Sequence, residues 1–101
     1  MAYRRIILNE AQREYRSIVA CLAETLGSEQ AALHFIEEFD RQFALVAENP
    51  FLHALSRMPE LAARGYRSML VGSYLALCKI DGDAVVIAHV FHQSQDYANL
   101  V

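Results

Sequence analysis

The sequence has few cysteines, no excess of basic residues and no apolar run long enough to span a membrane. Its two cysteines, Cys21 and Cys78, are far apart and show no paired Cys or His spacing. We therefore expect free, buried thiols and no metal site or cofactor. No apolar run approaches the roughly 20 residues of a membrane helix. The N-terminal stretch MAYRRIIL is too short for a signal peptide, so we expect a cytoplasmic protein without a membrane partner.

The charge of the chain argues against a general nucleic-acid binder. Nine Lys and Arg residues face twelve Asp and Glu residues, which gives a formal net charge of −3. Proteins that bind nucleic acid usually present a basic face. The acidic excess lies in the first half of the chain, however. A local basic patch around Arg57, Arg64 and Arg67 is compatible with this distribution.

The order of apolar patterns predicts one domain over residues 1–101. Tyr3–Leu8 is a short apolar run with β-branched residues and predicts a strand. Asn9 is the expected N-cap of a first helix, with Gln12 completing a capping box. Ser28 is the expected N-cap of a second helix. Apolar residues at helical spacing then predict an antiparallel helical hairpin over residues 10–48.

The last third of the chain predicts two consecutive β-hairpins. Gly72-Ser73 suits a two-residue turn because glycine accepts a positive φ at its first position. Asp81-Gly82-Asp83 lies between apolar runs and is a strong hairpin signal. Three antiparallel strands follow from these two turns. The predicted fold class is α+β, an antiparallel sheet of about four strands packed on the N-terminal helical hairpin, in the order β-α-α-β-β-β.

Strand alternation predicts that both faces of this sheet are apolar. It places one group of residues on the face of Arg67: Met69, Val71, Tyr74, Ala76, Cys78, Val85, Ile87 and His89. It places a second group on the opposite face: Leu70, Leu75, Leu77, Val86 and Val90. Two helices cover one face only. The other face needs the C-terminal tail, a second subunit or a partner protein as its cover.

The order of elements and several short motifs resemble the RelE/ParE superfamily of bacterial type II toxin–antitoxin toxins. The motifs are GYR at residues 65–67, VGSY at 71–74, the DGD turn, and VFHQSQDYANL at the end of the chain. The resemblance covers nearly the whole chain. It implies a toxin that a cognate antitoxin holds inactive. Some members cut mRNA on the ribosome, whereas ParE-type members poison DNA gyrase.

The resemblance also implies candidate residues for a metal-independent endoribonuclease. Arg67 would stabilise charge on the phosphate, because a guanidinium can contact it bidentately. His92, just past the last predicted strand, would act as acid or base. Tyr97 would stack on a base or donate a proton. Arg57 and Arg64 would bind RNA.

Other observations keep two alternatives open. Positions that are often basic in the ribonuclease members are Met69, Leu70 and Leu75 in this chain. Alternation also places Arg67 and His92 on opposite faces, unless the end of the last strand bends. We expect a toxin that inhibits translation by cutting mRNA. The alternatives are a non-catalytic inhibitor of DNA gyrase and a relative that has lost its activity. A homodimer is a further expectation.

Overall fold

The computed structural model describes residues 2–25 and 29–95, which form an α+β domain. Its strands are β1 (Arg4–Ile7), β2 (Arg67–Val71), β3 (Tyr74–Asp81) and β4 (Ala84–His92). Its helices are α1 (Asn9–Ala20), α2 (Glu29–Glu48) and α3 (Pro59–Ala63). A π-helical turn, Cys21–Thr25, extends α1, and a 3-10 turn, Pro50–Leu52, follows α2. None of the described helices is both long and apolar enough to cross a membrane.

The four strands form one sheet in the order β1-β4-β3-β2. The two predicted hairpins are confirmed, since β2, β3 and β4 pair antiparallel and Gly72 and Gly82 open their turns at φ of 58° and 59°. β1, however, pairs parallel to β4, from Arg4 opposite Ala84 to Ile7 opposite Ile87. The sheet is therefore mixed rather than wholly antiparallel. A long helical connection can return the chain in either direction, so local patterns leave this orientation open.

The start of α1 differs from the predicted capping box. Asn9 is the first helical residue, and Leu8 occupies the cap position without a side-chain hydrogen bond. Gln12 instead donates from Nε2 to the carbonyl oxygen of Ile7 at 2.9 Å. Its side chain therefore ties the helix to the end of β1. The predicted cap Ser28 lies outside the described residues.

The helical hairpin packs on one face of the sheet and forms the larger core. Phe35, Phe39 and Phe43 line the inner side of α2 and are at most 5% exposed. The ring of Tyr15 on α1 meets Phe39 edge-on, with the ring centroids 4.8 Å apart. The sheet contributes buried residues from three strands: Met69, Val71, Ala76, Cys78, Val85, Ile87 and Val90. Cys78 is buried as predicted, but Cys21 is exposed on the π-helical turn.

The opposite face of the sheet is covered in part by the connector between α2 and β2. Leu61 of α3 and Tyr66 pack there on Leu75, Leu77 and on two residues of β4. Leu61 is 1% exposed, so α3 has a true core position. Sequence analysis considered the tail, a second subunit and a partner as covers for this face. It did not identify α3 as a cover, because five residues are too few to show an apolar stripe at helical spacing.

A β-bulge in β4 changes which side chains share a face. Cys78 pairs with Ile87 and Leu77 pairs with His89, so Ala88 is the extra residue. Beyond the bulge the alternation is reversed. Val90 joins the helix-side core, and His89 moves to the face of Leu77. The predicted faces of His89 and Val90 are therefore wrong, while those of Val85 and Ile87 are confirmed.

Candidate functional site

Arg67, the predicted phosphate-binding residue, is engaged by its own chain. It is the first residue of β2 and is half-buried. Its Nη1 donates to the carbonyl oxygen of His53 at 2.5 Å. Its guanidinium carbon lies 5.3 Å from the centroid of the Phe51 ring. Both partners belong to the segment after α2, so the guanidinium holds this connector against the sheet.

His92, the predicted acid or base, closes β4 at the other end of the sheet. Its ring meets Tyr74 edge-on at a centroid distance of 5.2 Å. The backbone N–H of Ser94 donates to Nδ1 of His92 at 3.1 Å, and the Ser94 hydroxyl lies 2.7 Å from the same atom. Because Nδ1 is an acceptor here, the neutral ring carries its proton on Nε2.

Arg67 and His92 share a face of the sheet but lie far apart along it. The bulge provides the bend that places His92 on the helix side, opposite Tyr74. Arg67, however, lies opposite Cys78, four residues further along β3. Strand geometry then separates the two α-carbons by about 13 Å along the strands and about 10 Å across them. Two side chains at this separation, both turned to local partners, do not frame a single phosphate.

The predicted RNA-binding residues lie on the connector, at the two ends of α3. Arg57 precedes the helix, and Arg64 follows it as the C-cap residue. The guanidinium carbon of Arg64 is 5.3 Å from the centroid of the Tyr66 ring, and Nζ of Lys79 is 4.8 Å from the same centroid. Lys79 was missed by sequence analysis, although alternation along β3 would place it on this face. The predicted catalytic Tyr97 lies outside the described residues.

Eight of the nine basic residues divide into two sets by their partners, and the ninth, Arg16, donates to the side-chain oxygen of Gln12. Four arginines form ion pairs with carboxylates: Arg4 with Asp83, Arg5 with Asp40, Arg13 with Glu10 and Arg41 with Glu38. The hydrogen bonds from Arg4 lower the pKa of the Asp83 carboxyl below its ordinary value. Within the described part of the chain no carboxylate pairs with the remaining connector-side cations: Arg57, Arg64, Arg67 and Lys79. Of the five basic residues without a carboxylate partner in the described chain, four therefore lie on the connector or beside it.

A groove of about 520 Å³ runs along the outer edge of β2. Gln42 of α2 lines it from the helix side, and Leu75 lines it from the opposite face of the sheet. Leu55 and Leu70 lie in its wall and are 48% and 50% exposed. Arg57 contributes the cation of the groove. We call this feature the β2-edge groove.

A second cleft separates α1 from the part of β4 that extends beyond β1. Glu14 of α1 closes its floor, because its Oε1 accepts a hydrogen bond from the backbone N–H of Val90 at 3.0 Å. Nδ1 of His89 lies 3.3 Å from the same oxygen. Both side chains are about one-fifth exposed. Glu14 thus takes the place of a neighbouring strand at this edge. Among the described residues no cluster of His, Cys, Asp and Glu could hold a metal ion.

We expect Glu14→Ala to lower the free energy of unfolding by about 1–3 kcal/mol, because it leaves the Val90 N–H without its acceptor. Glu14→Gln keeps a carbonyl oxygen at this position and should cost about 1 kcal/mol or less. Urea denaturation measures both. Glu37→Ala, on the exposed side of α2, is the control and should change stability by no more than about 0.5 kcal/mol. Equal losses for Glu14→Ala and Glu37→Ala would contradict the prediction.

Two of three solved structures with a similar fold come from toxin–antitoxin systems. The chromosomal ParDE system of P. aeruginosa matches with a TM-score of 0.70 and 15% identity, over 90% of this chain and 96% of that chain. The toxin–antitoxin complex RelBE2 of Mycobacterium tuberculosis matches with a TM-score of 0.63 and 23% identity, over 94% and 95%. The conserved hypothetical protein HP0894 of Helicobacter pylori matches with a TM-score of 0.57 and 10% identity, over 92% and 97%. At these identities the likeness shows the fold.

The family is established by the sequence itself. No curated protein matches the chain. Residues 6–97, however, match the family described as "ParE toxin of type II toxin-antitoxin system, parDE". This match spans all the described helices, β2, β3 and β4, and part of β1. The chain therefore belongs to the ParE family of toxins of type II toxin–antitoxin systems.

Proposed function

We propose that this ParE-family toxin acts without catalysis, by binding DNA gyrase, and that a cognate antitoxin in the cytoplasm holds it inactive. The observation that carries the proposal is the separation of Arg67 from His92 along the sheet. The expected mRNA cleavage needs these two residues on one phosphate. A binding toxin has no such requirement.

The chemistry of RNA cleavage explains why this separation matters. Without a metal, a base must take the proton of the 2′-hydroxyl, an acid must protonate the leaving oxygen, and cations must stabilise the charged phosphate. These groups have to lie within about 3–3.5 Å of the reacting atoms. Arg67 instead donates to the carbonyl of His53. Met69 and Leu75, where ribonuclease relatives are often basic, are at most 3% exposed and belong to the two cores.

The antitoxin partner is proposed from the names of the structural neighbours. The P. aeruginosa protein belongs to a ParDE system, and the M. tuberculosis structure is a toxin–antitoxin complex. In both cases more than nine-tenths of the neighbour's chain aligns with this one. A homodimer stays a prediction, to be tested by sedimentation.

We expect the purified protein to inhibit supercoiling by gyrase and to leave ribosome-bound mRNA intact. Arg67→Ala and His92→Ala should each keep the inhibitory activity within about threefold of the wild type, because neither residue takes part in a chemical step. A nuclease would lose about 10²–10⁴-fold in rate with either change. The measurements are a supercoiling assay and primer extension on mRNA from a translation reaction.

Thermal melting of both variants is the control for folding. Arg67→Ala removes the contact to His53 and needs this control more than His92→Ala does. Cleavage of mRNA by the wild type, lost in both folded variants, would overturn the proposal and restore the nuclease hypothesis. Growth arrest with neither supercoiling nor translation affected would point to another protein target.

A further inference from the structure

The outer edge of β2 is only half paired. The N–H of Ser56 donates to the carbonyl oxygen of Tyr66 at 2.9 Å, and the N–H of Ser68 donates to that of Ala54 at 3.2 Å. Alternate residues of an antiparallel strand direct their peptide groups to the same side. Leu70, two residues beyond Ser68, therefore directs its N–H and C=O away from β3. No described residue pairs with these two groups.

The β2-edge groove surrounds this open stretch. Because Gln42 and Leu75 line it from opposite faces of the sheet, the groove is centred on the strand edge rather than on one face. Leu55 and Leu70 present half-exposed apolar side chains beside the free peptide groups. A strand added here would gain main-chain hydrogen bonds from the edge and apolar contacts from the walls.

The charge of the groove restricts its occupant. Arg57 lines the groove without a carboxylate partner in the described chain, whereas four arginines elsewhere are paired. Arg64 and Lys79 lie on the same side of the molecule around Tyr66. Complementary charge across an interface selects the partner and speeds its association. The occupant should therefore be acidic as well as extended.

We propose that an extended segment of the inhibited target protein, with an apolar residue flanked by carboxylates, adds to the free edge of β2 and pairs with Arg57. This inference rests on the proposed function, since it assigns a surface to target binding. The antitoxin, as a permanent partner, is a less suitable occupant of this groove. Permanent complexes bury large, mainly apolar surfaces, whereas this groove is short, mixed and charged.

Three variants test the inference, and the measurement is the protein concentration that inhibits supercoiling by half. Leu70→Pro removes the outward N–H and shortens the side chain, but it leaves the bonds of β2 to β3 in place, because these come from the neighbours of Leu70. We expect it to weaken inhibition by at least about tenfold, and Leu70→Ala, which keeps the N–H, by about threefold. Arg57→Glu should weaken inhibition by at least about tenfold and reduce its dependence on salt.

Arg16→Glu is the matched control, because it makes the same change in net charge on the exposed side of α1. Melting curves show whether Leu70→Pro is folded, and Arg57→Glu tests the surface if it is not. Any of three results would overturn the inference. In the first, Arg57→Glu and Arg16→Glu weaken inhibition of supercoiling equally, and in the second, a folded Leu70→Pro variant keeps full inhibition. The third result is that the variants lose only their binding to the antitoxin. If the wild type does not inhibit gyrase, the proposed function fails. The role of the β2-edge groove is then tested separately, by comparing the growth arrest caused by the wild type with that caused by the same variants.

Discussion

Replacing Phe39 with alanine should lower the free energy of unfolding by about 3–5 kcal/mol, the largest effect that we expect from a single substitution. Phe39 is 3% exposed in the middle of α2. Its ring lies 4.8 Å from that of Tyr15, 5.9 Å from Phe35 and 6.2 Å from Phe43, centroid to centroid. Truncation therefore removes apolar burial, leaves a cavity and breaks three aromatic contacts at once.

The loss is large relative to the about 5–15 kcal/mol by which most domains are stable. Phe39→Leu, which keeps most of the volume, should be folded and measurable if Phe39→Ala is not. Leu33→Ala is the matched control on the same helix, because Leu33 is 56% exposed. It should change stability by no more than about 0.5 kcal/mol. Chemical denaturation measures all three, and similar losses for Phe39→Ala and Leu33→Ala would contradict the assigned core.

Alkaline solution should destabilise the protein through Cys78. Burial raises the pKa of its thiol from an ordinary value of 9.0 to about 12, against a small lowering by the charge of Arg67. The thiol also donates to the carbonyl oxygen of Arg67 at 3.4 Å, which requires the protonated form. Above pH 9 the unfolded chain releases this proton and the folded chain keeps it, so unfolding becomes more favourable as pH rises.

The free energy of unfolding should fall by about 1.4 kcal/mol for each pH unit between 9 and 12 because of Cys78, or by about 4 kcal/mol in all. Below pH 9 Cys78 should cause no loss. The test compares the pH slope of the wild type with that of Cys78→Ala, so that the contributions of all other residues cancel. The variant should show the shallower slope. A thiol reagent should modify the exposed Cys21 at once and Cys78 only as the protein unfolds. Equal slopes would contradict the prediction.

The hairpins and helices of this chain follow from local chemistry. Gly72 and Gly82 occupy the first positions of their turns because a positive φ is strained for other residues. Apolar spacing predicted a helical hairpin that ends at residue 48, and α2 ends at Glu48 in the structure. These signals depend on neighbours in sequence and can be read without the fold. The helix α3 is too short to show an apolar stripe, and its place over Leu75 and Leu77 was found only in the structure.

The faces of the sheet show where sequence reasoning fails. Alternation predicted the side chains of β2, β3 and the first half of β4 correctly. One extra residue, Ala88, then reversed the rest of β4. Alanine at this position carries no signature of a bulge, because the extra residue of a bulge is defined by the pairing with the partner strand. Alternation predicted that Arg67 and His92 share a face only if the strand end bends. It gives no distance along the strands, which depends on the pairing of β2, β3 and β4.

The sequence by itself determined the element order, the two hairpins, the periodic helices and the family, because each depends on short-range patterns or on the motif string as a whole. Only the tertiary structure decided the parallel pairing of β1, the bulge in β4 and the partners of the charged residues. It turned Arg67 towards His53, brought Lys79 and Arg64 to one ring, and left the edge of β2 open at Leu70. These features join residues far apart in the chain, and their geometry is set by packing rather than by local preference.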